Sequence, residues 1–116
     1  MGTNQKASVL IVDDEEMVIT SVRAYLELET EYEVHGFTEP EQAIAHMQQN
    51  LVDIAVSDYF MPRISGIQFL TQAKQMQPEA TRVLLTGTRE SRLRVGRDAH
   101  DRVALAVQLH RLIDQI

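Results

Sequence analysis

Four residues in this 116-residue chain stand where they could do chemistry together: Asp13, Asp14, Asp58 and Thr86. They stand at the ends of three short, largely apolar runs. Three carboxylates brought into one crevice repel, since a pair about 4 Å apart costs about 4 kcal/mol at an effective dielectric of 20. Such a cluster either protonates one member or takes up a divalent cation. Donors that are all oxygen favour Mg²⁺, which is held by one or two carboxylates and keeps positions open for water and phosphate oxygens. Asp58 sits centrally and is the natural nucleophile, the cation lowering the charge barrier to its attack on phosphorus. The Thr86 hydroxyl is placed to donate to a phosphoryl oxygen. The chemistry predicted is phosphoryl transfer to an aspartate.

That chemistry needs elements to position it. Ser8-Val-Leu-Ile-Val12 is a continuous apolar run of strand length, the mark of a strand buried on both faces of a parallel sheet. Val18, Ile19, Val22, Tyr25 and Leu26 then fall at helical spacing, with Glu15 and Glu16 at the positive end of the helix dipole. Residues 32–37 alternate weakly and predict a second strand. Thr38 is the expected cap of the next helix, with Glu41 closing a capping box and Pro40 in the first turn; Ala43, Ile44 and Met47 form its stripe. Residues 51–57 predict the third strand, ending at Asp58. Gly66 opens a third helix with Ile67, Phe69, Leu70, Ala73 and Met76 inward, and residues 82–86 give a fourth strand.

Strict alternation of strands and helices predicts a single α/β domain over 1–116: a flavodoxin-like, doubly wound parallel sheet of order 2-1-3-4-(5). In that order the first and third strands are neighbours at the reversal of strand order, where open α/β sheets bind ligands beyond their carboxyl ends. Taken singly, each residue has an ordinary structural explanation. The Asp-Asp-Glu-Glu run suits a cap and a helix dipole, Asp58 suits a turn, and Thr86 before Gly87 is common loop composition. Only the joint arrangement points to chemistry.

Three stretches, Val9-Leu-Ile-Val-Asp-Asp-Glu15, Ser57-Asp-Tyr-Phe-Met-Pro-Arg-Ile-Ser-Gly66 and Val83-Leu-Leu-Thr-Gly87, resemble the motifs of two-component response-regulator receiver domains. The resemblance spans residues 8–87. It implies Asp58 as phosphoacceptor, with Asp13, Asp14, Asp58 and the backbone carbonyl of Phe60 holding Mg²⁺. It implies Thr86 as the hydroxyl that couples phosphorylation to rearrangement, and Pro62 and Gly66 as shapers of the loop after Asp58. The phosphodonor implied is the phosphohistidine of a sensor histidine kinase or phosphotransfer protein. Such a domain is a switch and not a turnover enzyme, at most catalysing its own phosphorylation and dephosphorylation.

The chain departs from the family's pattern after Thr86. No lysine or proline follows Pro78, so the lysine-proline pair that closes the family's fifth strand is absent. Arg94 or Arg97 could supply the charge, but a guanidinium fork differs from a compact ammonium. A fourth helix, fifth strand and fifth helix need about 40 residues, whereas 87–116 offers 30. Residues 88–116 are therefore read as shortened or atypical, with an edge strand at 92–96 and a final helix at 103–116. Three explanations stand: a degenerate receiver, a reading-frame change in its gene, or a helix packed on a second chain. An edge at 83–85 or that final helix would then mediate a homodimer.

Composition bounds the partners. The chain has no cysteine, which excludes disulfides, thiolate metal sites and thiol nucleophiles. No apolar run approaches the roughly 18 residues of a membrane span, and the polar start lacks signal-peptide pattern. A cytoplasmic location is expected. Net charge is −6, with −8 on residues 1–86 and +2 on 87–116. The arginines at 89, 92, 94 and 97 lack interleaved aromatics, which argues against nucleic acid as the partner. The histidines at 35, 46, 100 and 110 show no metal-ligand spacing. Two other readings remain: a phosphorylation-independent interaction module on the same fold, and a Mg²⁺-dependent phosphohydrolase, for which Asp58-Tyr-Phe60 lacks the second acid.

Overall fold

Alternation along a single strand organises the molecule. The computed structural model describes residues 6–59 and 61–85, comprising β1 (Ser8–Val12), α1 (Glu16–Glu29), β2 (Glu33–Phe37), α2 (Pro40–Gln49), β3 (Ile54–Asp58), α3 (Gly66–Met76) and β4 (Thr81–Leu85). The strands are parallel in the order β2-β1-β3-β4, as the sequence predicts. Val9 and Ile11 point to one face and pack with Val18, Ile19, Val22 and Leu26 of α1. Leu10 and Val12 point to the other and pack with Ala43 and Met47 of α2 and Phe69 and Ala73 of α3. β1 is thus covered twice, which is why its sequence is continuously apolar. Burying these side chains is the main favourable term in folding.

Several predicted boundaries move, each for a visible reason. β3 begins at Ile54, leaving Leu51 exposed and Val52 buried beside it. The delay comes from Asp53, whose side chain accepts from the Ser8 N–H at 2.7 Å and whose own N–H donates to the Ser8 carbonyl at 2.9 Å. Gln77 then stitches the turn before β3 to the end of α3. Its amide donates to the carbonyls of Met47 and Asn50 at 2.8 and 2.7 Å and accepts from the Val52 N–H at 2.9 Å.

The expected capping box at Thr38 does not form: α2 takes Glu39 as its N-cap, with no side-chain cap bond, and Pro40 in its first turn. Proline's fixed φ already suits that turn, and the Glu41 carboxylate is engaged elsewhere, by Arg63. A capping box does form at α3, where Ser65 accepts from the Gln68 N–H and the Gln68 side chain accepts from the Ser65 N–H. Ile67, expected inward, is half exposed, because Phe69, Leu70 and Ala73 already fill the stripe facing β3. The expectations for 88–116, including the strand at 92–96, the helix at 103–116 and the dimer contact they would make, lie outside the described residues.

His35 on β2 and His46 on α2 lie against each other with ring centroids 4.6 Å apart and planes tilted by 37°, beside Glu33, whose carboxylate lies 3.6 Å from His35 Nε2. Burial, reinforced by the neighbouring His35 and opposed by Glu33, pushes the His46 imidazole below its ordinary value of 6.5. A folded-state value below the unfolded one means the unfolded chain binds the proton more readily. Stability is therefore full above 6.5 and declines as pH falls below it.

Two measurements test this architecture. Phe69, fully buried between α3 and the sheet, should cost about 3–5 kcal/mol when cut to alanine, read by urea unfolding. In an NMR titration the His46 ring should show a midpoint below 6.5, and His46→Gln should flatten the loss of thermal stability on acidification through that value.

Candidate functional site

The sheet places the acidic residues by register alone. Val12 pairs with Ser57 across the β1–β3 ladder, so the residues that follow, Asp13 and Asp58, emerge side by side at the carboxyl ends of adjacent strands. From β1 the chain crosses to β2 on one side, and from β2 it crosses back to β3 on the other. The two strands therefore flank the reversal of strand order, where the backbone leaves a crevice.

Asp13, Asp14 and Asp58 each offer a carboxylate oxygen, and these atoms all lie within 4.8 Å of one another. Asp13 and Asp58 are each only 6% exposed, and Asp14 is half-buried. Asp13 is held at both backbone and side chain. Its N–H donates to the Phe37 carbonyl at 3.1 Å, and its Oδ1 accepts from the Glu15 N–H at 2.8 Å, turning the chain into α1. The neighbouring Ser57 is fully buried and donates from its hydroxyl to the Asp58 carbonyl at 3.0 Å.

The chain after Asp58 is drawn in close. The Gly66 N–H donates to the Tyr59 carbonyl at 2.9 Å. A Cβ on Gly66 would stand 2.2 Å from the Asp58 carbonyl oxygen and 2.8 Å from Leu84 Cδ1. Only glycine permits that approach, so the predicted role of Gly66 in shaping the loop has a steric basis. Tyr59 is tied across to β4, its N–H donating to the Leu85 carbonyl at 3.3 Å. Asp13, Asp14 and Asp58 are thus brought together as expected. Phe60 and Thr86, the two other predicted site residues, lie outside the described residues.

The donor set fits one class of ligand. Three carboxylates with no histidine or cysteine among them form a hard, all-oxygen site of the kind Mg²⁺ takes. Sequence reading missed the ion pair between Glu41 and Arg63, which joins α2 to the loop after Asp58 at 2.8 Å. No local pattern signals a pair so far apart in the chain.

A doubly wound parallel sheet with a carboxylate cluster at its crossover defines a class of α/β domains whose candidate site lies beyond the carboxyl ends of the strands. Within that class, the response regulator receiver domain matches residues 9–112, and the chain belongs to that family. The match runs beyond residue 87, where the three sequence motifs end. Response regulator Rre1 from Synechocystis is 35% identical over 68 residues, covering 59% of this chain and 29% of that protein. The chain spans between 18% and 29% of the first curated relatives it matches. A CheY-like receiver domain from Methanospirillum hungatei shares the fold, with a TM-score of 0.70, 21% identity and 96% of each chain covered. Response regulator TrrA from Thermotoga maritima is 26% identical in two crystal structures. One is its complex with Mg²⁺-BeF, at TM-score 0.65 and 80% of each chain. The other is its complex with histidine kinase ThkA, at TM-score 0.64, covering 72% of this chain and 73% of that one. Among the described residues, no helix is long and apolar enough to cross a membrane.

Crowded carboxylates make a thermodynamic prediction. Mg²⁺ should raise the thermal midpoint over a chelator-treated baseline, by about 2.7 kcal/mol of stability at a hundredfold excess over its Kd. Asp58→Asn removes one of the three charges. It should unfold at a higher temperature than the parent without cation and lose most of the Mg²⁺ response.

Proposed function

We propose that this chain is a phosphorylation switch of two-component signalling, working in the cytoplasm, which accepts a phosphoryl group on Asp58 from the phosphohistidine of a sensor histidine kinase or phosphotransfer protein. The observation that carries this reading is the convergence of Asp13, Asp14 and Asp58 within 4.8 Å at the crossover of the sheet. The complex of TrrA with a histidine kinase supports the partner class.

Asp58 supplies the nucleophile. One of its carboxylate oxygens forms a bond to phosphorus as the bond from phosphorus to the histidine nitrogen breaks; the donor ring, protonated on its other nitrogen, leaves as neutral imidazole, and Asp58 carries the acyl phosphate. Its burial and its paired backbone keep the attacking oxygen in one place, which supplies the positioning that phosphoryl transfer mainly needs. Asp13 and Asp14, with Asp58 and the backbone carbonyl of Phe60, would hold Mg²⁺, which supplies charge neutralisation at the phosphoryl oxygens. Thr86, directly after the β4 residue that pairs with Asp58, would donate its hydroxyl to the phosphoryl group. The family's role is that of a phosphoacceptor switch, and residues 1–116 act here as one such domain.

Incubating the protein with acetyl phosphate and Mg²⁺ and measuring intact mass tests the proposal. One phosphate adduct should form on the parent and none on Asp58→Asn. A folded parent that takes no phosphate would point instead to a phosphorylation-independent interaction module, and sustained release of inorganic phosphate to a hydrolase.

A further inference from the structure

The loop leaving Asp58 contains an unusual backbone. Among the described residues other than glycine, only Arg63 has a positive φ, at 70°, a region that L side chains enter only under constraint. The Ile64 N–H donates to the Pro62 carbonyl at 2.8 Å, closing a three-residue turn centred on Arg63. Glycine would adopt this conformation freely, yet the position carries an arginine.

The arginine side chain accounts for the choice. Arg63 donates from Nε to Glu41 Oε2 at 2.9 Å and from Nη2 to Glu41 Oε1 at 2.8 Å. The pair is bidentate, the geometry in which guanidinium and carboxylate match best. Glu41 sits in the first turn of α2. Hydrogen bonding from Arg63 holds its carboxyl down at about 2, so the pair stays charged through the neutral and mildly acidic range. The far end of the same loop is packed against the acidic pocket, through the Gly66 N–H on the Tyr59 carbonyl and the close approach of Gly66 to the Asp58 carbonyl. A shift of the turn at Arg63 is therefore passed to the backbone that carries Asp58.

We propose that Glu41 and Arg63 form a positioning clamp that ties the loop after Asp58 to α2 and thereby sets the divalent-cation affinity of the Asp13–Asp14–Asp58 pocket. The inference rests on the proposed function only in treating that pocket as a Mg²⁺ site. Electrostatics acting through space makes the opposite demand on the two residues. Removing the Arg63 charge would draw cations toward the pocket, whereas removing the Glu41 charge would repel them. A clamp is broken by either loss, so both should weaken binding.

Glu41→Gln, Arg63→Gln and the reversed pair Glu41→Arg with Arg63→Glu provide the test. Both side chains are more than half exposed, at 55% and 56%, so the substitutions leave the core intact. Two quantities are read by NMR: amide exchange of Ile64 and Gly66 in the metal-free protein, and Mg²⁺ affinity from a titration. Each single variant should speed exchange at both amides and weaken Mg²⁺ binding by about two- to fivefold, the range open to an exposed ion pair. The reversed pair should recover both. Shifts of opposite sign in the two single variants, or unchanged Mg²⁺ affinity in both, overturn the clamp. Absence of phosphorylation on a parent that still binds Mg²⁺ and shows these effects would remove the proposed function and leave the clamp standing.

Discussion

Three carboxylates held within 4.8 Å of one another are a constraint that everything else in this molecule has to withstand. Each close pair costs about 4 kcal/mol at an effective dielectric of 20, and a domain's whole stability is only about 5–15 kcal/mol. The charges cannot relax by moving apart, because β1 and β3 are fixed in register and buried from both sides by α1 on one face and α2 and α3 on the other. The hydrogen bond from the Glu15 N–H to Asp13 offsets part of the repulsion. Under the proposed function the remainder is what a dication would relieve, since a ligand that neutralises the cluster recovers energy that the fold has stored.

That division of labour follows the sheet's polarity. At the amino ends of the strands the connections are tied down, with Asp53 bonded to Ser8 and with Gln77 joining α3 to the turns around β3. These bonds serve the fold alone. At the carboxyl ends, side chains and backbone are arranged around Asp58, down to a glycine whose missing Cβ makes room for the Asp58 carbonyl. A rigid lower half lets the upper half hold an unfavourable charge arrangement without the strands slipping, because a one-residue slip would send each β1 side chain to the opposite face, into the packing of the other helix layer.

How much of this could be read from the sequence depends on the range of the interaction involved. β1 was legible because burial on two faces writes itself as an unbroken apolar run, and the convergence of Asp13, Asp14 and Asp58 followed from strand order. The start of β3 was not, because Leu51 and Val52 look like strand residues and only the bonds from Asp53 to Ser8 show where pairing begins. Thr38 and Glu41 have the spacing of a capping box, but Glu41 is claimed by a partner 22 residues away. Ser65 and Gln68 carry the same signature and do form the box. Local pattern proposes such bonds, and tertiary competition decides between them.

Under the proposed function, the same electrostatics links cation binding to phosphorylation. A phosphoryl group brings about −1.5 to −2 charge at neutral pH, where Asp58 alone brought a single negative charge. The pocket that already needs a dication would then need it more. Linkage requires the effect to be reciprocal: whatever tightens Mg²⁺ binding in the phosphorylated form must, by the same free energy, favour phosphorylation when Mg²⁺ is bound. The clustered carboxylates would in this way do two things with one arrangement. They recruit the cation before transfer, and they make the phosphorylated state the one in which that cation is held most firmly.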